Sequence, residues 1–267
     1  MKQATNTNNN GDIKAEIKTS KNGKGNKRKA ERAIPLILND ESPFLIKEAY
    51  KAARANVNFS LAGTTGCKRI VVTSSAAAEG KTTTCINLAI AFAQSGAKVL
   101  LIDSDMRKSS IHNYLGIKNT MGLSNVLGGC TQLNEIIKKT TYGFDCMTAG
   151  PIPPNPSELL LTSTAEELME TLSEYYDYII IDTPPVAMVS DALSMINYVD
   201  GYIVTVRESF TLTEHLKKTV NALKFANAKI LGFILNDSQN GEKRYGYRYK
   251  YRSRTYNEYY GSDEYYY

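Results

Sequence analysis

The stretch RIVVTSSAAAEGKTTTCINLAIAFAQSGAKVLLIDSDMR, Arg69 to Arg107, decides the fold. RIVVTSS is a short β-branched run that ends in small polar residues, the pattern of a buried strand. KTTTCINLAIAFAQSGA carries a continuous apolar face and closes on Gly96, so it reads as a helix with its stop. KVLLIDSD is a second buried strand. A phosphate-binding loop belongs between such a strand and helix, and SSAAAEGKTTT lies there. Gly80, Lys81 and Thr82 supply its Gly-Lys-Ser/Thr end, although Ser75 replaces the first glycine of the usual G-x-x-x-x-G-K. Backbone N–H groups and the helix N-terminus can hold phosphate oxygens there. Lys81 would reach the β- and γ-phosphates, and the Thr82 hydroxyl would bind Mg²⁺.

Outward from this core the alternation continues. SPFLIKEAYKAARANVNFSLAG, from Ser42, reads as an amphipathic helix capped by Ser42 with Pro43 in its first turn. QLNEIIKK is expected to be helical, FDCMTAG a strand and PIPPNP a loop. SELLLTSTAEELMETLSEYY reads as one helix capped by Ser157. DYIIIDTPP, DGYIVTVRES and KILGFILND are strands, the last two separated by the helix TLTEHLKKTVNALKFANA. Strands alternating with helices predict an α/β fold, a mostly parallel β-sheet flanked by helices on both faces. We place this domain at residues 34–240, between tails at 1–33 and 241–267.

The 267 residues suit one α/β domain with a substantial core. The net charge of +5 is uneven: residues 1–33 hold nine Lys or Arg against Asp12, Glu16 and Glu31. So polar a segment cannot offset its ordering entropy, and disorder is expected. Its basicity suits an anionic membrane or nucleic acid, and equally a solubilising tail. No run reaches the apolar length of a membrane span or signal peptide. Cys67, Cys85, Cys130 and Cys146 form no CxxC pair, and with two histidines they give little support to a zinc or iron–sulfur site. Scattered thiols fit the cytoplasm.

Three carboxylates fall at strand ends. VLLIDSDMR places Asp103 and Asp105 just past one strand, and YIIIDTPP places Asp182 at the end of another. Ligands of parallel sheets bind outside the carboxyl ends of the strands, so these groups can converge on the phosphate loop. There they could hold a metal and accept a proton from an attacking hydroxyl. Taken one at a time, each carboxylate could instead be a strand-end cap.

An Asp-x-Asp-x-Arg segment on the strand after a Walker A helix is a Walker A′ motif, and DTPP resembles a Walker B motif. With the segments ESPFLIKEAYKAARANVNF and AGPIPPNPSELL and a terminal tyrosine cluster, the chain resembles the bacterial protein tyrosine kinases. These are relatives of the ParA/MinD P-loop ATPases, and the likeness runs from Ser42 to Asn236. It implies a P-loop NTPase fold with Walker A, A′ and B motifs, ATP and Mg²⁺ as cofactors, and phosphoryl transfer to tyrosine. By position, Ala77, Ala78, Glu79, Gly80, Lys81, Thr82 and Thr83 match the nucleotide cradle, and Asn236 matches an adenine contact. Thr82, Asp103, Asp105 and Asp182 match the metal site, and Asp103 also matches the group that assists deprotonation of the incoming tyrosine. Glu48, Lys51 and Arg54 match an oligomerisation motif, with Lys51 where an arginine fork is usual. The family's usual Pro-Gly before x-Gly-Lys is Ala77-Ala78 here. If that glycine needs φ > 0, Ala78 costs roughly 1 kcal/mol. Ala76 stands where ParA/MinD proteins carry a lysine, which favours the kinase branch. The resemblance further implies a ring-shaped homo-oligomer, with eight subunits one possible size. It implies a transmembrane activator of the polysaccharide co-polymerase type and a tyrosine phosphatase as partners. The chain would then be a cytoplasmic kinase held at the inner face of the membrane by that activator, regulating capsular or extracellular polysaccharide synthesis and export.

The last 23 residues hold Tyr245, Tyr247, Tyr249, Tyr251, Tyr256, Tyr259, Tyr260, Tyr265, Tyr266 and Tyr267, with no Leu, Ile, Val or Phe among them. Read with the phosphate loop, they are phosphoacceptors tethered to an ATP site at roughly millimolar effective concentration. From Glu242 onward six basic and four acidic side chains leave a small positive charge. Each phosphate adds about −1.5 to −2, so three or four reverse its sign. Tyrosines interleaved with Arg and Lys also suit single-stranded nucleic acid, but no base-recognition motif accompanies them and the phosphate site explains them better. A positioning ATPase of the ParA/MinD kind, or a ring-forming scaffold with a weak ATP site, are the alternatives.

Overall fold

The computed structural model describes residues 37–237; the basic segment 1–33 and all ten terminal tyrosines lie outside the described residues. Seven strands form one sheet in the order β3-β4-β2-β5-β1-β6-β7. They are β1 (Lys68–Ser74), β2 (Val99–Asp103), β3 (Ile137–Lys139), β4 (Asp145–Met147), β5 (Tyr178–Asp182), β6 (Gly201–Arg207) and β7 (Ile230–Asn236). All neighbours pair in parallel except β3 with β4. The central strands are buried on both sides, as their unbroken apolar runs require.

Alternate side chains feed two separate cores. Val71, Leu100, Ile102, Ile179, Ile181, Tyr202 and Val204 face one layer. Ile70, Val72, Leu101, Ile180 and Ile203 face the other. On this second side lie α1 (Phe44–Ser60), through Val57, and α2 (Lys81–Ala93), through Cys85, Ile86, Leu88 and Phe92. The short α3 (Ile111–Leu115) joins them. The first side is covered by α4 (Leu123–Leu127), α6 (Pro156–Leu160), α7 (Ser163–Ser173) and α8 (Thr213–Phe225), with a 3₁₀ turn at Leu193–Tyr198. Gly96 ends the α2 connection at φ 88°, where its N–H bonds the Ala93 carbonyl. Among the described residues no helix is long and apolar enough to cross a membrane.

Three local expectations fail, each for a visible reason. Ser42 does not cap α1: its hydroxyl pairs with Asn39 in the preceding turn (2.9 Å from the Asn39 N–H), and Pro43 opens the helix. QLNEIIKK is helical only over α5 (Leu133–Ile136); from Ile137 the chain becomes β3 and pairs with β4. The Lys138 ammonium there donates to the Met121 carbonyl and the Thr148 hydroxyl (3.2 and 3.0 Å), contacts that a continued helix would forfeit. The segment from Ser157 is two helices, because the chain breaks at Leu161 and Thr162 caps α7 by accepting from the Ala165 N–H. Ser157 is then free for another task.

Candidate active site

The site sits at the carboxyl ends of β1, β2 and β5. β1 delivers the loop Ser75–Gly80 to the N-terminus of α2, where Lys81 is the first helical residue and almost fully buried. Ala78 takes φ 63° and Gly80 φ 89°. The condition under which alanine is strained here, a positive φ, holds at Ala78. Ala78→Gly is accordingly expected to stabilise the fold: relief of about 1–2 kcal/mol of strain exceeds the 0.5–1 kcal/mol that glycine adds in chain entropy. Urea unfolding midpoints of the two proteins check this.

Glu79 is completely buried, and its carboxylate accepts from the N–H groups of Ser75 (2.8 Å) and Ala76 (3.0 Å) and from the Thr211 hydroxyl (2.6 Å). Its side chain therefore braces the loop from within, leaving only its backbone to offer a nucleotide. Asn236, at the end of β7, donates to the Glu79 carbonyl at 3.3 Å and covers Gly80 so closely that a Cβ there would lie 1.8 Å from its amide nitrogen. Arg207 donates to the Ala78 carbonyl (3.2 Å) and pairs with Asp237 (3.0 Å). Thus both β6 and β7 brace the phosphate loop.

Two of the three expected carboxylates meet. Asp103 and Asp182 are partners in the register of β2 and β5, and both are buried. Asp182 accepts from the Thr82 hydroxyl (2.6 Å). Asp103 accepts from the N–H groups of Ser110 (3.0 Å) and Ile111 (3.1 Å). Asp105 lies one step out, in the connection after β2, holding the Lys108 N–H at 2.9 Å. Among the described residues no three acidic, His or Cys side chains already form a metal-ligand cluster. Yet one oxygen of Asp103 and one of Asp182 are buried without a protein partner. Two orphaned carboxylate oxygens beside the Thr82 hydroxyl fit a divalent cation that takes its remaining ligands from water and phosphate. Ser110, whose hydroxyl lies 3.1 Å from that of Thr82, belongs to the site and was missed in the sequence. Only its place after the Asp-x-Asp-x-Arg segment signals it.

Burial, then the Asp182 charge, push Asp103 up to about 8; burial pushes Asp182 up to about 6 against the pull of Lys81 and Thr82. The folded protein thus keeps protons that the unfolded chain releases near its ordinary value of 3.8. Stability is greatest at the acid end of that window and falls as pH rises toward 8. Asp103→Asn should flatten this fall, because the amide removes one of the two facing charges. Thermal melts from pH 5 to 8.5 check it, and a slope unchanged by the substitution would refute it.

Glu48, Lys51 and Arg54, expected from the resemblance to serve oligomerisation, lie on α1. Glu48 and Lys51 pair with each other at the surface (2.8 Å), while Arg54 donates to the Ala91 carbonyl at the end of α2 (2.6 Å).

The family model described as an AAA domain matches residues 67–232. The tyrosine-protein kinase YwqD of Bacillus subtilis (strain 168) is 37% identical over 214 residues, covering 79% of this chain and 90% of that protein. The putative tyrosine-protein kinase CapB of Staphylococcus aureus is 35% identical over 210 residues, 78% of this chain and 92% of CapB. This chain belongs to the bacterial protein tyrosine kinases. Membership makes it a tyrosine-protein kinase, a transferase built on the P-loop ATPase fold. The solved kinase domain of Escherichia coli Etk superposes with a TM-score of 0.69 at 33% identity, over 79% of this chain and 86% of that domain. Within whole Etk the matched part is 29% of the length. The kinase described here therefore corresponds to one portion of the longer relatives and to nearly all of the shorter ones.

Proposed function

We propose that this kinase uses Mg²⁺ and ATP to phosphorylate its own C-terminal tyrosine cluster, and that it regulates capsular or extracellular polysaccharide synthesis and export. The observation that carries the catalytic part is the pair of registered, buried carboxylates beside Lys81 and Thr82 at the mouth of the phosphate loop. Thr82, Asp103 and Asp182 would hold Mg²⁺, with Asp105 nearby. The ion would neutralise charge on the phosphates and orient them. Lys81 and the backbone of residues 77–83 hold the phosphate oxygens. Asp103, once ionised, takes the proton from the incoming phenol, a role its raised proton affinity suits. The wall of β1, α2 and the connection after β2 keeps bulk water from the acid pair, both of whose members are buried. Asn236, which stands over Gly80, contacts the adenine base.

The polysaccharide context rests on the relatives: one is named CapB and another is named as lying in a cps region. A transmembrane activator that docks through a cytoplasmic segment, an opposing tyrosine phosphatase, and a ring of copies joined through Glu48, Lys51 and Arg54 complete the reading. In that ring the positively charged tail bridges neighbouring subunits, and phosphates added to it bring like-charge repulsion that releases the ring. Replacing the ten terminal tyrosines with Phe should leave an assembly that no longer dissociates when Mg²⁺ and ATP are added, read by light scattering on the full chain. Dissociation unaltered by the replacement would contradict this regulation.

A further inference from the structure

Asp191 is completely buried, although it lies far from the phosphate loop in sequence and the proposed chemistry does not use it. Its carboxylate accepts three hydrogen bonds: from Arg107 Nε (2.9 Å), from Arg107 Nη2 (3.0 Å) and from the Ser157 hydroxyl (2.6 Å). Arg107 Nη2 also donates to the Ser157 oxygen at 3.0 Å. The guanidinium is thus gripped on one edge by a fork-to-fork pair, a geometry lysine cannot reproduce.

The three residues come from three connections. Arg107 stands two residues beyond Asp105, between β2 and α3. Asp191 lies in the segment that leaves β5 after Asp182. Ser157 is in the first turn of α6. The connections after β2 and β5 therefore meet twice: once at the strand ends, where Asp103 and Asp182 are in register and the Ser104 N–H bonds the Asp182 carbonyl (2.8 Å), and again at Arg107–Asp191. The stretch 104–110 contains both of its own contact residues, Ser104 and Arg107, carries Asp105 between them, and ends at Ser110, whose N–H bonds Asp103 and whose hydroxyl approaches Thr82. Asp191 is fully buried while the Arg107 side chain keeps 42% exposure, so a desolvated carboxylate meets a partly hydrated guanidinium, and the cost of burying that carboxylate offsets much of their attraction. What such a pair supplies is a fixed geometry.

We propose that Arg107, Asp191 and Ser157 are positioning residues that form a clamp setting the stretch 104–110, and through it Asp105 and Asp103, against Asp182 and the phosphate loop. The clamp rests on the kinase reading above for the reaction it serves, and on the contacts alone for its geometry. It touches neither phosphate loop nor nucleotide cradle, so its loss spares ATP binding and strikes the step that needs the acids aligned.

The test uses the full chain as wild type, Arg107→Lys, Arg107→Met, and the double variant Arg107→Met/Asp191→Leu, which leaves no unpaired carboxylate buried at position 191. ATP affinity without Mg²⁺ is read by calorimetry, stability by thermal melts, and kcat and KM by phosphate incorporation. Expected are an unchanged Mg²⁺-free ATP affinity in all variants and a kcat lowered by roughly tenfold to a hundredfold, the scale of a small misplacement of reacting groups. In the double variant the stability lost on removing Arg107 alone returns, while kcat stays low. A kcat that recovers along with stability, or an ATP affinity that falls in step with kcat, would overturn the proposal, since either marks a merely structural pair. If wild type binds Mg²⁺ and ATP yet phosphorylates no tyrosine, the kinase reading fails by itself. The clamp is then read from the strengthening of ATP binding by Mg²⁺: its loss in the Arg107 variants supports the clamp, and equal strengthening in all proteins refutes it.

Discussion

Lys81→Met is expected to lower tyrosine phosphorylation by about 10² to 10³-fold, the scale seen when one preorganised charge at a developing anion is removed. Burial drives the Asp182 carboxyl up while the Lys81 ammonium draws it down. In the proposed mechanism this ammonium does two things: it reaches for the phosphates from the first turn of α2, and it keeps Asp182 ionised enough to serve a metal. Methionine preserves the apolar stem and removes both effects. A second consequence follows from the same contact. Without Lys81, Asp182 gains protons at a higher pH, so the rise of any remaining activity with pH should be displaced to higher pH than that of wild type. Rates of phosphate incorporation measured from pH 6 to 9 check both points. A variant that retains a tenth or more of wild-type activity would place the phosphate contact elsewhere.

Gly80→Ala is expected to weaken ATP binding by about tenfold or more, since every 1.4 kcal/mol is tenfold and left-handed backbone strain alone supplies about 1–2 kcal/mol. Gly80 has φ 89°, and its new methyl would meet the Asn236 amide nitrogen at 1.8 Å. Asn236 can swing away only by giving up its bond to the Glu79 carbonyl, a net loss of about 1 kcal/mol. It would also lose the position proposed for its adenine contact. The double variant Gly80→Ala/Asn236→Ala separates the two costs, because it removes the collision and keeps the strain. Calorimetric ATP titration should show the double variant no better than the Asn236→Ala single variant and weaker by the strain alone. Equal affinity in Gly80→Ala and wild type would refute this geometry.

The fold was legible because its signals are local and redundant. Each central strand is an apolar run with a polar residue at its carboxyl end, and the helix after β1 announces itself through Gly80-Lys81-Thr82 and Gly96. That Asp103 and Asp182 would approach each other was legible for the same reason, since both close buried strands of a parallel sheet; that their strands are neighbours in register was not. Where local signals competed, reading failed. Ile136 and Ile137 carry β-branched side chains that suit either helix or strand, and the pairing partner at Asp145–Met147 decides the matter. Ser157 and Thr162 are equally good helix caps in sequence. Burial of Asp191 takes the first, leaving Thr162 to cap α7. Contacts across many residues were invisible for a simpler reason: no periodicity links Arg107 to Asp191 or Glu79 to Thr211. The left-handed Ala78, by contrast, was foreseeable from the motif it interrupts.

The most direct test of the central claim is the intact mass of the full chain after incubation with Mg²⁺ and ATP, with and without the activator's cytoplasmic segment, and with Lys81→Met as the blank. The expected result is a ladder of phosphate additions that maps to Tyr245–Tyr267 and is absent from the blank. No addition in either condition, from protein shown to bind ATP, would contradict self-phosphorylation and move the reading to a positioning ATPase or a ring-forming scaffold.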